Sequence, residues 1–308
     1  MQPLKSSDHP HREGAVIRRA LAVFPFAVAT LMLAPNGAVA SPPGPIPFGV
    51  YDPTGDYEQD DQVSIEHIFL PWADVDLRSL RAADAYAFER ERTLLVTLEP
   101  WIWGAAPMSD ALRHDILSGE YDETMRTACR ALGELQSPVT IRWAQEMDSS
   151  TGHFPWAQWR PEDHIEAFRR VIGECRSVAP DLVIMWSPAG EDGMEAYYPG
   201  DDVVDVIGLS VFGAQDYELL LFDTDYSFLE ILGPRYERAA SFGKPIIVAE
   251  LGFVGDDAYM ADWYNSVRKS HDAFPQLAAV IYFNRQEVWP WPNDFGLPDW
   301  RIGARSGD

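Results

Sequence analysis

The stretch VTIRWAQEMD, residues 139–148, starts as a strand and ends in charge. Val139, Thr140, Ile141 and Trp143 suit a pleated, half-buried surface. Arg142, Gln145 and Glu146 interrupt it, and Glu146 lies just past the apolar run. A carboxylate set where leaving water is costly needs a purpose. Barrels of parallel strands gather their chemistry at this C-terminal end of each strand.

Working outward from it, short apolar runs alternate with helical patterns, as in parallel βα units. The runs are 46–51, 64–70, 93–99, 139–143, 182–186, 203–209, 245–249 and 279–283, eight in all. Helical periodicity fills 161–178, where Ile165, Phe168, Val171, Ile172, Cys175 and Val178 recur on one face. Pro161, Glu162 and Asp163 suit its first turn. Similar patterns occupy 76–91, 122–135, 226–241 and 258–270, while the links after the first and fifth strands are short. Eight such strands most simply close into a (β/α)8 TIM barrel, an α/β fold, in a single domain over residues 41–308. A doubly wound open sheet is the alternative, but its usual Gly-rich phosphate turn is not what YDPTGDYEQ, residues 51–59, offers.

Residues 1–40 read as a secretory signal peptide. Arg18 and Arg19 precede the apolar run 21–33, and Ala38–Val39–Ala40 offers a cleavage site. The run is short for a membrane span, so no stable membrane insertion is expected after cleavage. The expected location is secreted or periplasmic, and the expected state a monomer. The formal charge of −24 over 308 residues argues against nucleic acid and anionic lipid as partners. Cys129 and Cys175 both fall in helical patterns. A bridge between neighbouring helices and two buried thiols are both open.

The strand ends are rich in acids and indoles. They present Glu99, Trp101 and Trp103 after the third strand, Arg142, Gln145 and Glu146 after the fourth, and Trp186 after the fifth. Glu250 follows the seventh, and Tyr282, Trp289 and Trp291 belong to the eighth and its loop. Carboxylates beside tryptophans point to sugar, whose C–H faces stack on indole while its hydroxyls bond to acids. Trp143, inside a strand, is read as core. Glycoside hydrolysis needs two carboxyl groups, one protonated and one ionised. Glu146 and Glu250 are the best pair: KPIIVAELG, residues 244–252, again runs apolar residues into an acid, then a glycine that frees a turn. Arg142 either keeps Glu250 ionised or makes a structural salt bridge, and Glu99 is a third acid suited to a sugar hydroxyl. The histidines do not cluster, so neither a metal nor a cofactor is expected.

At these residues the chain resembles glycoside hydrolase family 26. That family shows Arg-Pro-x-His-Glu-Met-Asn where residues 142–148 read Arg-Trp-Ala-Gln-Glu-Met-Asp. Residues 167–190, 197–213 and 244–252 are similar to its strand-five, strand-six and nucleophile segments, in order. The resemblance implies a retaining hydrolase of β-linked polysaccharide or oligosaccharide, of β-mannan or β-1,3/1,4-glucan type and endo-acting. In it Glu146 is the acid/base and Glu250 the nucleophile. Three features depart from the pattern: Gln145 replaces the usual histidine, Phe212 stands for a tyrosine, and the loop that carries Trp156 is longer. A barrel that only binds glycan, in polysaccharide assembly or export, is the alternative.

Overall fold

A computed structural model of the chain describes residues 40–72, 76–101, 109–151 and 153–302. The chain divides into Met1–Asn36, which lies outside the described residues, and Gly37–Asp308, which holds the fold. The expected leader therefore falls outside the described residues except for Ala40.

Eight parallel strands close into a barrel in chain order. They are β1 Phe48–Tyr51, β2 Val63–Pro71, β3 Thr93–Glu99, β4 Val139–Trp143, β5 Val183–Trp186, β6 Val206–Ala214, β7 Ile246–Val254 and β8 Leu277–Phe283. β1 closes the ring on β8, with Phe48 opposite Val280. Around it stand α1 Leu77–Glu89, α2 Ser109–Ser118, α3 Asp122–Gly133, α4 Pro161–Val178, α5 Gln215–Phe222, α6 Phe228–Ala240 and α7 Asp257–Ser266. No α-helix separates β1 from β2, and the link after β5 holds only the 3-10 turn Met194–Tyr197, as the short links predict.

The TIM-barrel expectation holds, and β3 and β4 fall on the expected residues. Two helices carry little signal in sequence. α2 buries only Leu112 and Ile116, and the apolar residues of α5, Leu219 to Phe222, are contiguous rather than periodic and lie exposed.

Side chains on a strand alternate between faces, and here one face fills the lumen. Leu95, Met185, Val206, Ala249 and Ile281 pack there with Ile65 and Ile247, apart from the larger core between strands and helices. The space is tight: a Cβ on Gly208 would stand 2.6 Å from both Met185 Sδ and Ser187 Oγ. This apolar plug forms the floor, and Arg142, Glu99 and Glu250 lie above it.

β6 and β7 run further than their apolar segments and carry the irregularity that matters most. Gly208 pairs with Ile247 and Leu209 with Val248, but Ser210 pairs with Glu250. Ala249 is thus an extra residue on β7, a bulge, and the β7–β8 register slips over the same residues. Strict alternation from Ile247 and Ala249 would send Glu250 outward. The bulge re-aims it onto the lumen face with Ser210, as bulges beside active sites do. The strand also continues through Gly252, which corrects the expected turn there. A Cβ at Gly252 would stand 2.8 Å from both Phe212 Cδ1 and Trp300 Cδ2, so this glycine admits two rings and does not end the strand.

Cys129 on α3 and Cys175 on α4 are disulfide-bonded, with Cα atoms 5.2 Å apart and a sequence separation of 46. Closing such a loop removes unfolded-chain entropy worth about 4 kcal/mol. A Cys129→Ser/Cys175→Ser chain is expected to unfold at a clearly lower denaturant midpoint. Superimposable urea curves for the two proteins would show that the bridge adds no stability.

Candidate active site

The polar layer above the plug is built on Arg142. Its side chain is fully buried at the end of β4. Nη1 donates to Glu250 Oε1 in a short ion pair, and Nε donates to Ser187 Oγ at 2.8 Å. A buried guanidinium needs such partners, since an unpaired ion there costs several kcal/mol. Ser210, opposite Glu250 in the sheet, donates its hydroxyl to Glu146 Oε1 at 2.5 Å. The two candidate acids are therefore linked across the lumen: Glu250 on β7 is held by β4, and Glu146 after β4 is held by β6.

The chain reaches Glu146 by an unusual path. Ala144 and Glu146 both adopt left-handed backbone, at φ 48° and φ 55°. For residues with a Cβ this costs on the order of 1–3 kcal/mol each and persists only where the surroundings enforce it. Here the Glu146 N–H donates to the Ser187 carbonyl at 2.8 Å, and Trp156 Nε1 donates to the Gln145 carbonyl at 2.6 Å. The Asp148 carboxylate accepts the N–H groups of Ala189, Gly190 and Glu191 at 2.6, 3.0 and 2.9 Å. That is a task for two acceptor oxygens, which an asparagine at this position lacks.

The surroundings of the two acids differ. Burial pushes the Glu146 carboxyl up to about 7, and the charge of Glu250 adds to it, against the opposing pull of Arg142 and Ser210. Burial raises Glu250 as well, but Arg142 opposes the rise through both its charge and its hydrogen bond. Of the two, Glu250 is the acid the site keeps ionised, because the guanidinium touches it. His67 lines the same layer, its Nε2 2.8 Å from Thr97 Oγ1. Burial and then the charge of Arg142 hold it well below the usual imidazole range, so it is neutral.

Gln145 is buried and uses its side-chain nitrogen to donate to Glu99 Oε1 at 3.0 Å, while Trp101 Nε1 donates to Glu99 Oε2 at 2.9 Å. Glu99 is thus fixed at the rim by two expected site residues. Trp101 is half-buried, and Phe212 lies half-buried between Trp291 and Trp300, with ring centroids 6.4 and 5.0 Å away. Trp289 is exposed and meets His153 edge-on at 4.7 Å. Trp103 lies outside the described residues.

Three expected sugar contacts are corrected. Trp186 is fully buried with its ring against Tyr198 and Phe242, because it follows the inward Met185 by one residue and so points at the helices. Tyr282 follows the inward Ile281 in the same way, is buried, and donates its hydroxyl to the Trp300 carbonyl at 2.6 Å. Trp156 is buried behind the rim, stacked on Phe154 at 4.8 Å and packed on Trp101, so it backs the site without lining it.

Ser187, Ser210, His67 and Glu287 belong to the site and were not singled out in sequence. Ser210 had a signal: Val206, Gly208 and Ser210 share one face of β6. Glu287 had a weaker one, an acid just ahead of VWPW, residues 288–291. Among the described residues no group of three His, Cys, Asp or Glu side chains is placed to hold a metal ion.

Residues 109–226 match the model of glycosyl hydrolase family 26. A beta-1,3-xylanase from Vibrio sp is 35% identical over 109 residues, 33% of this chain and 23% of that protein. Endoglucanase H from Acetivibrio thermocellus is 24% identical over 260 residues, 79% of this chain and 26% of that one. The chain thus spans about a quarter of the length of the curated relatives it matches. Among solved structures, an endo-beta-1,4-mannanase double mutant from Cellulomonas fimi superimposes with a TM-score of 0.60 at 16% identity, covering 77% of this chain and 64% of that one. GH26C from Muricauda sp. gives 0.57 at 15% identity, covering 80% and 79%. The family resemblance carried by the motifs is met by the family model, and the barrel is shared with both structures.

Proposed function

On the premise of a family 26 barrel, we propose that the chain is a retaining hydrolase of β-linked polysaccharide, with Glu146 as acid/base and Glu250 as nucleophile. The observation that carries this reading is the opposed setting of the two acids: Arg142 grips Glu250, whereas Glu146 has a hydroxyl partner and a raised pKa. One site then holds a proton donor and an anion side by side.

In the first step Glu146 gives its proton to the glycosidic oxygen as that bond to the anomeric carbon breaks. Glu250 forms the new bond to the same carbon on the opposite face. The leaving chain departs with the proton. Water then enters, Glu146 takes a proton from it, and the resulting oxygen attack releases Glu250 as carboxylate with retained configuration. Ser210 and the Glu146 N–H contact to Ser187 fix the donor, and Arg142 returns Glu250 to its ionised state.

The names of the relatives support β-1,3-xylan, β-mannan and β-glucan as substrates, attacked within the chain. One screen against these polymers, read by new reducing ends, tests the proposal. No product from any of them defeats it and leaves the binding-only barrel. The raised pKa of Glu146 adds a second expectation. Turnover needs this carboxyl protonated, so kcat/KM should fall as pH rises through about 7. A Glu146→Gln chain should lose that alkaline limb on substrates with activated leaving groups. An unchanged limb assigns the ionisation to another group.

Export of the mature chain and action as a monomer remain part of the proposal. The helix-to-helix disulfide supports export, since such bridges persist in oxidising compartments. Among the described residues no helix is long and apolar enough to cross a membrane.

A further inference from the structure

We propose that Glu287 is a substrate-binding acid that sets sugar specificity: its carboxyl accepts hydrogen bonds from adjacent hydroxyls of a ring seated against Phe212 and Trp291. The proposal rests on the hydrolase reading above and extends that site by one subsite.

Glu287 sits on the loop after β8, and that loop is pinned by its own backbone. The Glu287 N–H donates to the Pro298 carbonyl at 2.8 Å, Gln286 bridges Asp299, and Trp291 bridges Gly296. Its side chain is held from the other direction, with Trp300 Nε1 donating to Glu287 Oε1 at 3.3 Å. Trp300 is fully buried, packs on Trp291 at 5.3 Å and on Phe212, and fills the space left by Gly252, two residues past Glu250. The carboxyl thus hangs from a rigid indole beside the reacting acids. It adds to the rise of Glu250, and Glu146 adds to its own.

Other buried or half-buried carboxylates of the barrel have evident structural work. Asp148 accepts three backbone N–H groups, and Glu66 is ion-paired to Arg92. Glu218 accepts from the Ala214 and Tyr226 N–H groups and the Tyr259 hydroxyl. Glu287 takes hydrogen bonds only from neutral donors, the indoles of Trp300 and Trp291 and the Val288 N–H, and no ion pair with a lysine, arginine or histidine balances its charge among the described residues. An acid kept beside the ionised Glu250 opposes its own stability, and an amide would serve the two indoles without that charge. Donors that arrive with the substrate account for the charge. The half-buried indole of Trp291, with Phe212 at 89° to it, supplies the apolar face against which a pyranose stacks, and the carboxyl beside that indole meets its hydroxyls.

The test uses Glu287→Ala and Glu287→Gln, each in the active chain and in a Glu250→Gln background that binds without turnover. Calorimetry with β-1,3-xylotetraose, β-1,4-mannotetraose and a mixed-linkage glucotetraose reads affinity, and steady-state kinetics on the polymer cleaved fastest reads KM against kcat. Glu287→Ala should weaken binding of the preferred tetrasaccharide by about tenfold, the effect of losing a hydrogen bond to a charged group. It should raise KM more than it lowers kcat. Glu287→Gln keeps an acceptor for Trp300, should melt like the parent, and should recover part of the affinity. Parent-like affinity in Glu287→Ala overturns the proposal. So does a loss that tracks the melting temperature and is absent from Glu287→Gln. Failure of the hydrolase reading itself is distinguishable, because it shows as a parent chain without turnover while calorimetry still reports on Glu287.

Discussion

Replacing Glu250 by alanine is expected to lower kcat by about 10⁴-fold or more, the scale on which removal of a nucleophile acts. The reason is local. Glu250 is the carboxylate that Arg142 touches, and a bulge at Ala249 turns it into the lumen opposite Ser210. Alanine also strips Arg142 of its anionic partner, and Arg142 is fully buried with Nη2 already lacking a hydrogen bond. Breaking one side of a buried pair costs about 3–5 kcal/mol, so the alanine chain should melt earlier. Glu250→Gln separates the two effects: it keeps an oxygen for Arg142 and so the fold, but cannot attack the anomeric carbon. Azide, which fits the space that alanine vacates, should restore turnover and yield a glycosyl azide of inverted configuration. Wild-type turnover in the glutamine chain, or a retained azide product, would remove Glu250 from the nucleophile role.

Arg142→Met is the second large effect. Methionine preserves much of the volume but none of the charge. Without the guanidinium, burial acts unopposed on Glu250, and its pKa rises further, since Arg142 was the main group holding it down. The sign follows directly. The nucleophile must be ionised, so the acidic limb of kcat/KM should move to higher pH by about 1–3 units, the span a neighbouring guanidinium commands. Glu146 loses a restraint too, so its alkaline limb also rises, but Glu250 loses both a charge and a hydrogen bond and rises more, so the two limbs close on each other and the bell narrows and shrinks. At a fixed pH near neutrality the expected loss is about 10²-fold. A pH profile of unchanged shape, merely scaled down, would mean that Arg142 is a structural clamp and does not tune the nucleophile.

Much of this was legible in the chain. The runs at 93–99 and 139–143 are strands to the residue, because the lumen and the helix layer bury nearly every position of both, polar ones included. Glu146 and Arg142 were equally readable, since a charge at the end of such a run has nowhere inert to go. Two of the readings that failed share one cause. Trp186 and Tyr282 sit one residue from inward-facing neighbours, so their rings turn to the helices, and an indole or phenol alone does not declare its face. Glu287 and Ser187 were passed over because their partners, Trp300 and Arg142, are 13 and 45 residues away in sequence.

The sequence by itself determined the barrel, the number of its strands and the two acids to examine, because periodic burial is a local property and survives in the order of residues. Only the tertiary structure decided which way the second acid faces. In IIVAELGF, residues 246–253, alternation points Glu250 away from the lumen. Pairing with β6 and β8 inserts Ala249 as a bulge and reverses it, and the buried guanidinium of Arg142 supplies the attraction that rewards the reversal. Register between strands is a long-range choice, made by partners that no window of sequence contains.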